Sequence, residues 1–202
     1  IEIALAFAGS QALRLQIQQG APAHTFISAN PQHMTSLKEQ GRVGQIRDFA
    51  YNRLAVIVPR DNPANIQVPA DLVKANRLVM GSAQVPIGQY ARRWLLKADE
   101  EIDRHFSKKV LSQIVSEENN VRLLRAKVEL GEADAAIVYL TDARSSKSVQ
   151  HIPIQASMNI RTQYQLGIVA QERGNPALET WLNFLNSDVA RELMKQEGLE
   201  LP

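Results

Sequence analysis

Chemistry in this chain has to come from carboxylates, histidines, hydroxyls or backbone amides. It contains no cysteine, which removes a thiolate nucleophile, a thiolate metal site and a disulfide framework. Paired acids occur at Asp99-Glu100-Glu101 and Glu117-Glu118, both in polar stretches beside helix ends. A solvated face or a helix N-terminal charge accounts for them better than acid–base catalysis. The four histidines, His24, His33, His105 and His151, lack the i, i+4 spacing with a nearby carboxylate that a metal-binding helix needs, so they read as surface or boundary residues. Ser10 has no Gly-x-Ser-x-Gly elbow around it, and the Gly-Lys-Ser/Thr ending of a phosphate loop is absent. No nucleophile is assembled with its base, and the expectation is that this is not an enzyme.

What recurs instead is a strand leading into a helix whose first turn is rich in small or capping residues. Gly9-Ser10 opens one such helix, Pro86-Ile87-Gly88 a second and Asn119-Asn120-Val121 a third. A helix start presents unpaired N–H groups and the positive end of the macrodipole, which together hold an anion without a charged side chain. Three such turns converging on one crevice would supply half a dozen donors. Every α/β protein has helix starts, so the pattern leaves ordinary capping and an anion site both open; ligand binding at the carboxyl ends of strands in such sheets is the argument for the second.

The elements that would position these turns follow from periodicity. Ile1 to Phe7 reads as a strand, and Ala12, Leu13 and Ile17 as a helix stopped by Gly20. Thr25 to Ala29 is strand-like, and Asn30-Pro31 then starts a helix through Met34 and Leu37, with Asn as cap and Pro at the first helical position. Arg53 to Pro59 is a β-branched strand, and the polar, proline-bearing loop Arg60 to Pro69 is a place for a lobe boundary. Beyond it the reading is strand Arg77–Gly81, helix Gly88–Lys97, strand Val110–Val115, helix Asn120–Leu130 and a buried strand Ala133–Tyr139. Tyr164–Ala170 is a last strand; Asn175-Pro176 opens a helix with Leu178, Trp181, Leu182 and Leu185 on an apolar stripe that gives Trp181 a core role, and a final helix carries Val189, Leu193 and Met194. Strands alternating with helices predict parallel sheets covered on both faces.

Composition narrows the partners. With 23 basic against 21 acidic residues the net charge is only +2, although the pI is near 9.0, so nothing calls for nucleic acid. No apolar run reaches the roughly 20 residues that span a bilayer, and no signal peptide is visible. The first residue is Ile1 and not Met, as in a processed or trimmed chain.

Three blocks of this sequence, in order, resemble the periplasmic molybdate-binding proteins of ABC transporters. The first is Phe7-Ala8-Gly9-Ser10 with Gln16 to Ala23 and Phe26-Ile27-Ser28-Ala29; the second is Gly81 with Val85 to Ala91; the third is Asn120-Val121-Arg122 with Gly131 to Tyr139 and Thr141-Asp142-Ala143. The resemblance implies an α/β, two-lobed type II periplasmic-binding-protein fold, each lobe a mostly parallel sheet flanked by helices, with a tetrahedral oxyanion held between the lobes. Carried over by motif, Ser10 donates its hydroxyl and amide, Ile87 and Val121 their amides, and Tyr139 its phenol. All are neutral donors, suited to a dianion enclosed by fixed dipoles. The chain departs from the family at Ile87, where Ala is usual, and at His24, where Asp is usual. The family also begins with a strand and helix carrying an Ala-Ser pair, after which this chain starts; one ligand serine and the middle strand of the first lobe's sheet are then absent. The expectation is that the slot between Ile3–Phe7 and Thr25–Ala29 is filled by another segment or closed by re-pairing of those strands.

The resemblance thus implies a solute-binding protein for molybdate or tungstate, without a cofactor, periplasmic or extracytoplasmic, docking on a membrane permease. Lobe one is expected over residues 1–56 and 160–202, lobe two over 57–159. The alternative is the oxyanion-sensing domain of a transcription regulator, which uses the same fold.

Overall fold

The computed structural model describes residues 1–169 and 175–202. After a stretch without regular secondary structure, the chain runs α1 (Ser10–Gln18), β1 (Thr25–Ser28), α2 (Pro31–Glu39), β2 (Val43–Asn52) and β3 (Leu54–Pro59). A 3-10 turn (Pro69–Lys74) leads to β4 (Leu78–Gly81), α3 (Pro86–Glu101), α4 (Phe106–Leu111), β5 (Ile114–Glu118), α5 (Val121–Glu129) and β6 (Ala135–Tyr139). Then come α6 (Leu140–Arg144), β7 (Val149–Pro153), β8 (Thr162–Val169), α7 (Pro176–Asn186) and α8 (Asp188–Gln196). The chain divides into two compact units, Ile1–Asn52 with Gln163–Pro202, and Arg53–Thr162.

The first unit is built on a sheet of order β1-β8-β2, with β1 antiparallel to β8. Its core gathers Ile17 from α1, Phe26 from β1, Met34 and Leu37 from α2, Val43 and Val169. The helices start where their capping chemistry predicts. Asn30 Oδ1 accepts from Gln32 N at 2.7 Å ahead of Pro31, Asn175 from Ala177 N at 3.0 Å, and Ser187 Oγ from Ala190 N at 3.3 Å. Gly20, at φ +89°, takes the left-handed conformation that follows α1. Asp48 on β2 accepts from Gln163 and Gln165 of β8 at 2.7 and 3.2 Å.

The second unit carries a five-stranded sheet of order β5-β4-β6-β3-β7. All six residues of β3 are buried, as a strand covered on both faces requires. Trp94 of α3 meets Phe106 of α4 edge to face, with ring centroids 6.0 Å apart, in the layer that covers the sheet. Asn159 completes the start of β3: its amide accepts from Leu54 N and donates to Leu54 O, both at 2.9 Å.

Several sequence expectations change. Ile1–Phe7 is not a strand and belongs to neither sheet; Ile1, Ile3, Leu5 and Phe7 are exposed, and β1 is bonded to β8, so the flanking strands have not re-paired. Alternation alone does not make a strand when no neighbour supplies the ladder. Val110–Val115 is the end of α4 followed by the start of β5, because Val110 is a helical core position packed with Phe106 on one face. Within the second unit's sheet, parallel pairing is confined to β5-β4-β6; β3 pairs antiparallel with both β6 and β7. Arg60–Pro69 lies inside the second unit, tied by mutual Asn62–Ile66 hydrogen bonds of 2.9 and 3.0 Å. β2, β7 and the 3-10 turn were not anticipated. Trp181 is only half-buried, stacked on Phe184, and the expected strand end at Ala170 lies outside the described residues.

Candidate functional site

In the second unit, the parallel strands β5, β4 and β6 lie side by side, with Gly81 opposite Glu118 and Val79 opposite Ala136. They therefore release the chain at one edge of the sheet. β4 is followed by the start of α3, β5 by the start of α5 and β6 by the start of α6. Ile87, Val121 and Tyr139 are thus brought to the same carboxyl edge, where sheets of this kind bind ligands.

Each of these residues is held by local chemistry. At α3, Val85 offers no side-chain cap and Pro86 has no N–H, while the helical ladder opens with Gln89 N donating to Val85 O at 3.1 Å. The amides of Ile87 and Gly88 are the first-turn donors that precede it. Ile87 is only 2% exposed, so its larger side chain is accommodated in the core while the backbone serves the helix start. The turn is pressed against the end of β4: a Cβ on Gly88 would lie 2.0 Å from Ser82 O and 2.3 Å from Gly81 O. At α5, Asn120 Oδ1 takes the N–H of Leu123 at 3.0 Å, and Val121 is the first helical residue. Tyr139 ends β6, is 4% exposed and occupies the cap position of α6.

Ser10 belongs to the first unit. It is the first residue of α1, whose start carries no side-chain cap, and is 8% exposed. Its Oγ accepts from Ala29 N at 3.1 Å, which fixes the oxygen at the end of β1 and leaves the hydroxyl hydrogen to be donated elsewhere.

The local electrostatics come mainly from α5 and α6. Burial pushes the Asp142 carboxyl up to about 6, and the guanidinium groups of Arg125 and Arg122 oppose that rise without cancelling it. Neither Asp142 nor Arg92 and Arg125 had been singled out for a role by sequence; besides contacts within their own helices, Arg92 has partners on β4 and β5 and Arg125 on α6. The carboxylates judged structural have structural partners. Asp99 accepts from Ser107 N and Oγ at 2.7 and 2.5 Å, and Glu118 is 2.5 Å from Lys127 Nζ. Asp134, in the third sequence block, braces the unit: it accepts from Asn76 N and Arg77 N, both at 2.9 Å, and from Arg77 Nη2 at 2.7 Å. Among the described residues no group of three or more His, Asp or Glu side chains is placed to hold a metal ion. A groove of about 740 Å³ in the first unit, floored by Ile46, Leu166, Ile168 and Leu182, contains none of the residues above.

The model of a family described as bacterial extracellular solute-binding protein matches residues 1–200. The molybdate-binding protein ModA of Mycobacterium tuberculosis is 29% identical over 206 residues, covering all of this chain and 75% of the relative. ModA of Haemophilus influenzae is 30% identical over 209 residues, covering 98% and 78%. Among solved structures, the periplasmic molybdate-binding protein of Azotobacter vinelandii matches with a TM-score of 0.78 at 20% identity, over 96% of this chain and 85% of that one. That likeness establishes a shared fold.

Proposed function

This chain belongs to the bacterial extracellular solute-binding proteins, and on that premise we propose that it captures molybdate or tungstate outside the cytoplasm and delivers it to the permease of an ABC transporter. The relatives named for molybdate binding support the ligand class. The observation that carries the reading is the common edge at which β5, β4 and β6 end, with Val121 and Ile87 at the helix starts that follow β5 and β4 and Tyr139 at the end of β6. Ser10, at the start of α1 in the first unit, is proposed as a further oxyanion donor through its hydroxyl and amide.

The chemistry fits a dianion. Amides at helix starts and a phenol present partial positive charge in a fixed geometry, so a tetrahedral oxyanion is held without an ion pair and without proton transfer. Binding is then governed by size and charge, and sulfate, which has the same charge and shorter bonds, is the competitor to measure.

Isothermal titration with molybdate, tungstate and sulfate tests the reading. Molybdate and tungstate are expected to bind, and at about one hundred times the dissociation constant to stabilise the fold by roughly 2.7 kcal/mol. A flat titration together with an unchanged melting curve in millimolar molybdate and tungstate overturns it.

A further inference from the structure

Two arginines link the donor-bearing turns of the second unit in series. Arg92 lies on α3, one turn beyond Gly88. Its Nη1 donates to Gly81 O at 2.7 Å and to Gly88 O at 3.2 Å, and its Nη2 pairs with Glu117 on β5. One guanidinium therefore joins the start of α3, the end of β4 and the strand that ends two residues before the Asn120 cap of α5. Arg125 lies on α5, one turn beyond Val121. Its Nη1 donates to Ser145 Oγ at 2.5 Å and to Asp142 O at 3.4 Å, while its Nε is 3.0 Å from Glu129 Oε1 in the next turn of its own helix. Ser145 Oγ in turn donates to Asp142 O at 3.0 Å. Arg125 thus holds α5 to α6, the five-residue helix that begins directly after Tyr139.

The ties run from the start of α3 through Arg92 to β5, the strand that leads into Val121, and from α5 through Arg125 to α6, the helix that follows Tyr139. A planar guanidinium with several donors in fixed directions suits such a tie better than an ammonium does. Donors that discriminate between tetrahedral anions of equal charge have to keep their mutual distances within a fraction of an ångström, and that precision comes from the residues behind them.

We propose that Arg92 and Arg125 are positioning residues for oxyanion capture: they lock the Ile87, Val121 and Tyr139 donors into one constellation and thereby set its selectivity among tetrahedral dianions. This rests on the oxyanion-binding reading of the same edge. Neither arginine is a ligand, and each has its guanidinium engaged by carbonyl, hydroxyl or carboxylate oxygens of the protein.

The test is titration of the parent, Arg92→Met, Arg125→Met and Arg125→Lys with molybdate and with sulfate, alongside Tyr139→Phe in the parent and Arg125→Met backgrounds. The expected result is that Arg92→Met and Arg125→Met each weaken molybdate binding by about tenfold and reduce the molybdate-to-sulfate preference. The Tyr139→Phe penalty, about ten- to a hundredfold in the parent, should shrink to about threefold or less without Arg125. Arg125→Lys keeps the charge but not the fork and should recover only part of the loss. Ser145→Ala removes an acceptor of Arg125 while leaving the arginine in place, and it decides the question if Arg125→Met fails to fold. Full recovery by lysine would mean that charge alone acts, and an undiminished Tyr139→Phe penalty would mean that Arg125 is structural only; either overturns the positioning role. A parent chain that binds neither anion overturns the oxyanion reading itself.

Discussion

Asp142 and Arg125 meet where α5 packs on α6. Asp142 sits in the first turn of α6, where its backbone carbonyl accepts from Arg125 while its carboxyl is desolvated. A carboxyl whose folded pKa is raised to about 6 from 3.8 binds more protons folded than unfolded between those values. The neutral form therefore contributes stability that is fully present below the unfolded pKa and lost as pH rises through about 6. Asp142→Asn, which mimics the neutral carboxyl, is expected to be more stable than the parent at pH 7.5, with the difference closing by about pH 4. Urea denaturation of both proteins across that range checks this. A parent that is the more stable protein at pH 7.5 would mean that attraction to Arg125 and Arg122 outweighs burial.

Among the elements, α3 and β4 make the tightest contact described at the candidate site. The first turn of α3 rests on the carbonyls of Gly81 and Ser82, and no side chain fits at Gly88 without moving the helix. Gly88→Ala is expected to destabilise by about 1–3 kcal/mol, as overpacking does, and to weaken molybdate binding because the Ile87 amide moves with the turn. Thermal melting with and without molybdate separates the two effects. A variant with parental stability and affinity would show that the turn relaxes freely. The α4–β5 segment makes the opposite point about elements: Val110 to Val115 has strand-like composition, yet its first residues complete a helix because Phe106 and Val110 share a buried face. Propensity yields there to packing.

The whole molecule consists of two units with separate sheets, and the chain passes between them at residues 52–53 and 162–163. Molybdate should slow amide exchange at the starts of α3 and α5 if the second unit's proposed donors hold it, and at the start of α1 if Ser10 does. Hydrogen exchange with mass analysis measures both at once, with protection bounded by the free energy of ligand binding. Slowing confined to the second unit would remove Ser10 from the ligand set.

Much of this architecture was legible locally. The caps Asn30, Asn120 and Asn175 mark their helices because a capping side chain and its amide lie two or three residues apart. The alternation of strands with helices marks the α/β class for the same reason, since periodicity is a property of one segment. The proposed donors Ser10, Ile87, Val121 and Tyr139 were placed at helix starts and a strand end from sequence, and all four occupy such positions. What remained hidden depends on partners distant along the chain. Arg92 meets Glu117 across 25 residues, Arg125 meets Ser145 across 20 and Arg77 meets Asp134 across 57. Strand direction was equally out of reach: β3 pairs antiparallel with β6, which lies far along the chain. The fate of Ile1–Phe7 turned on whether another strand lay beside it, because a strand is completed by hydrogen bonds that its own residues cannot make.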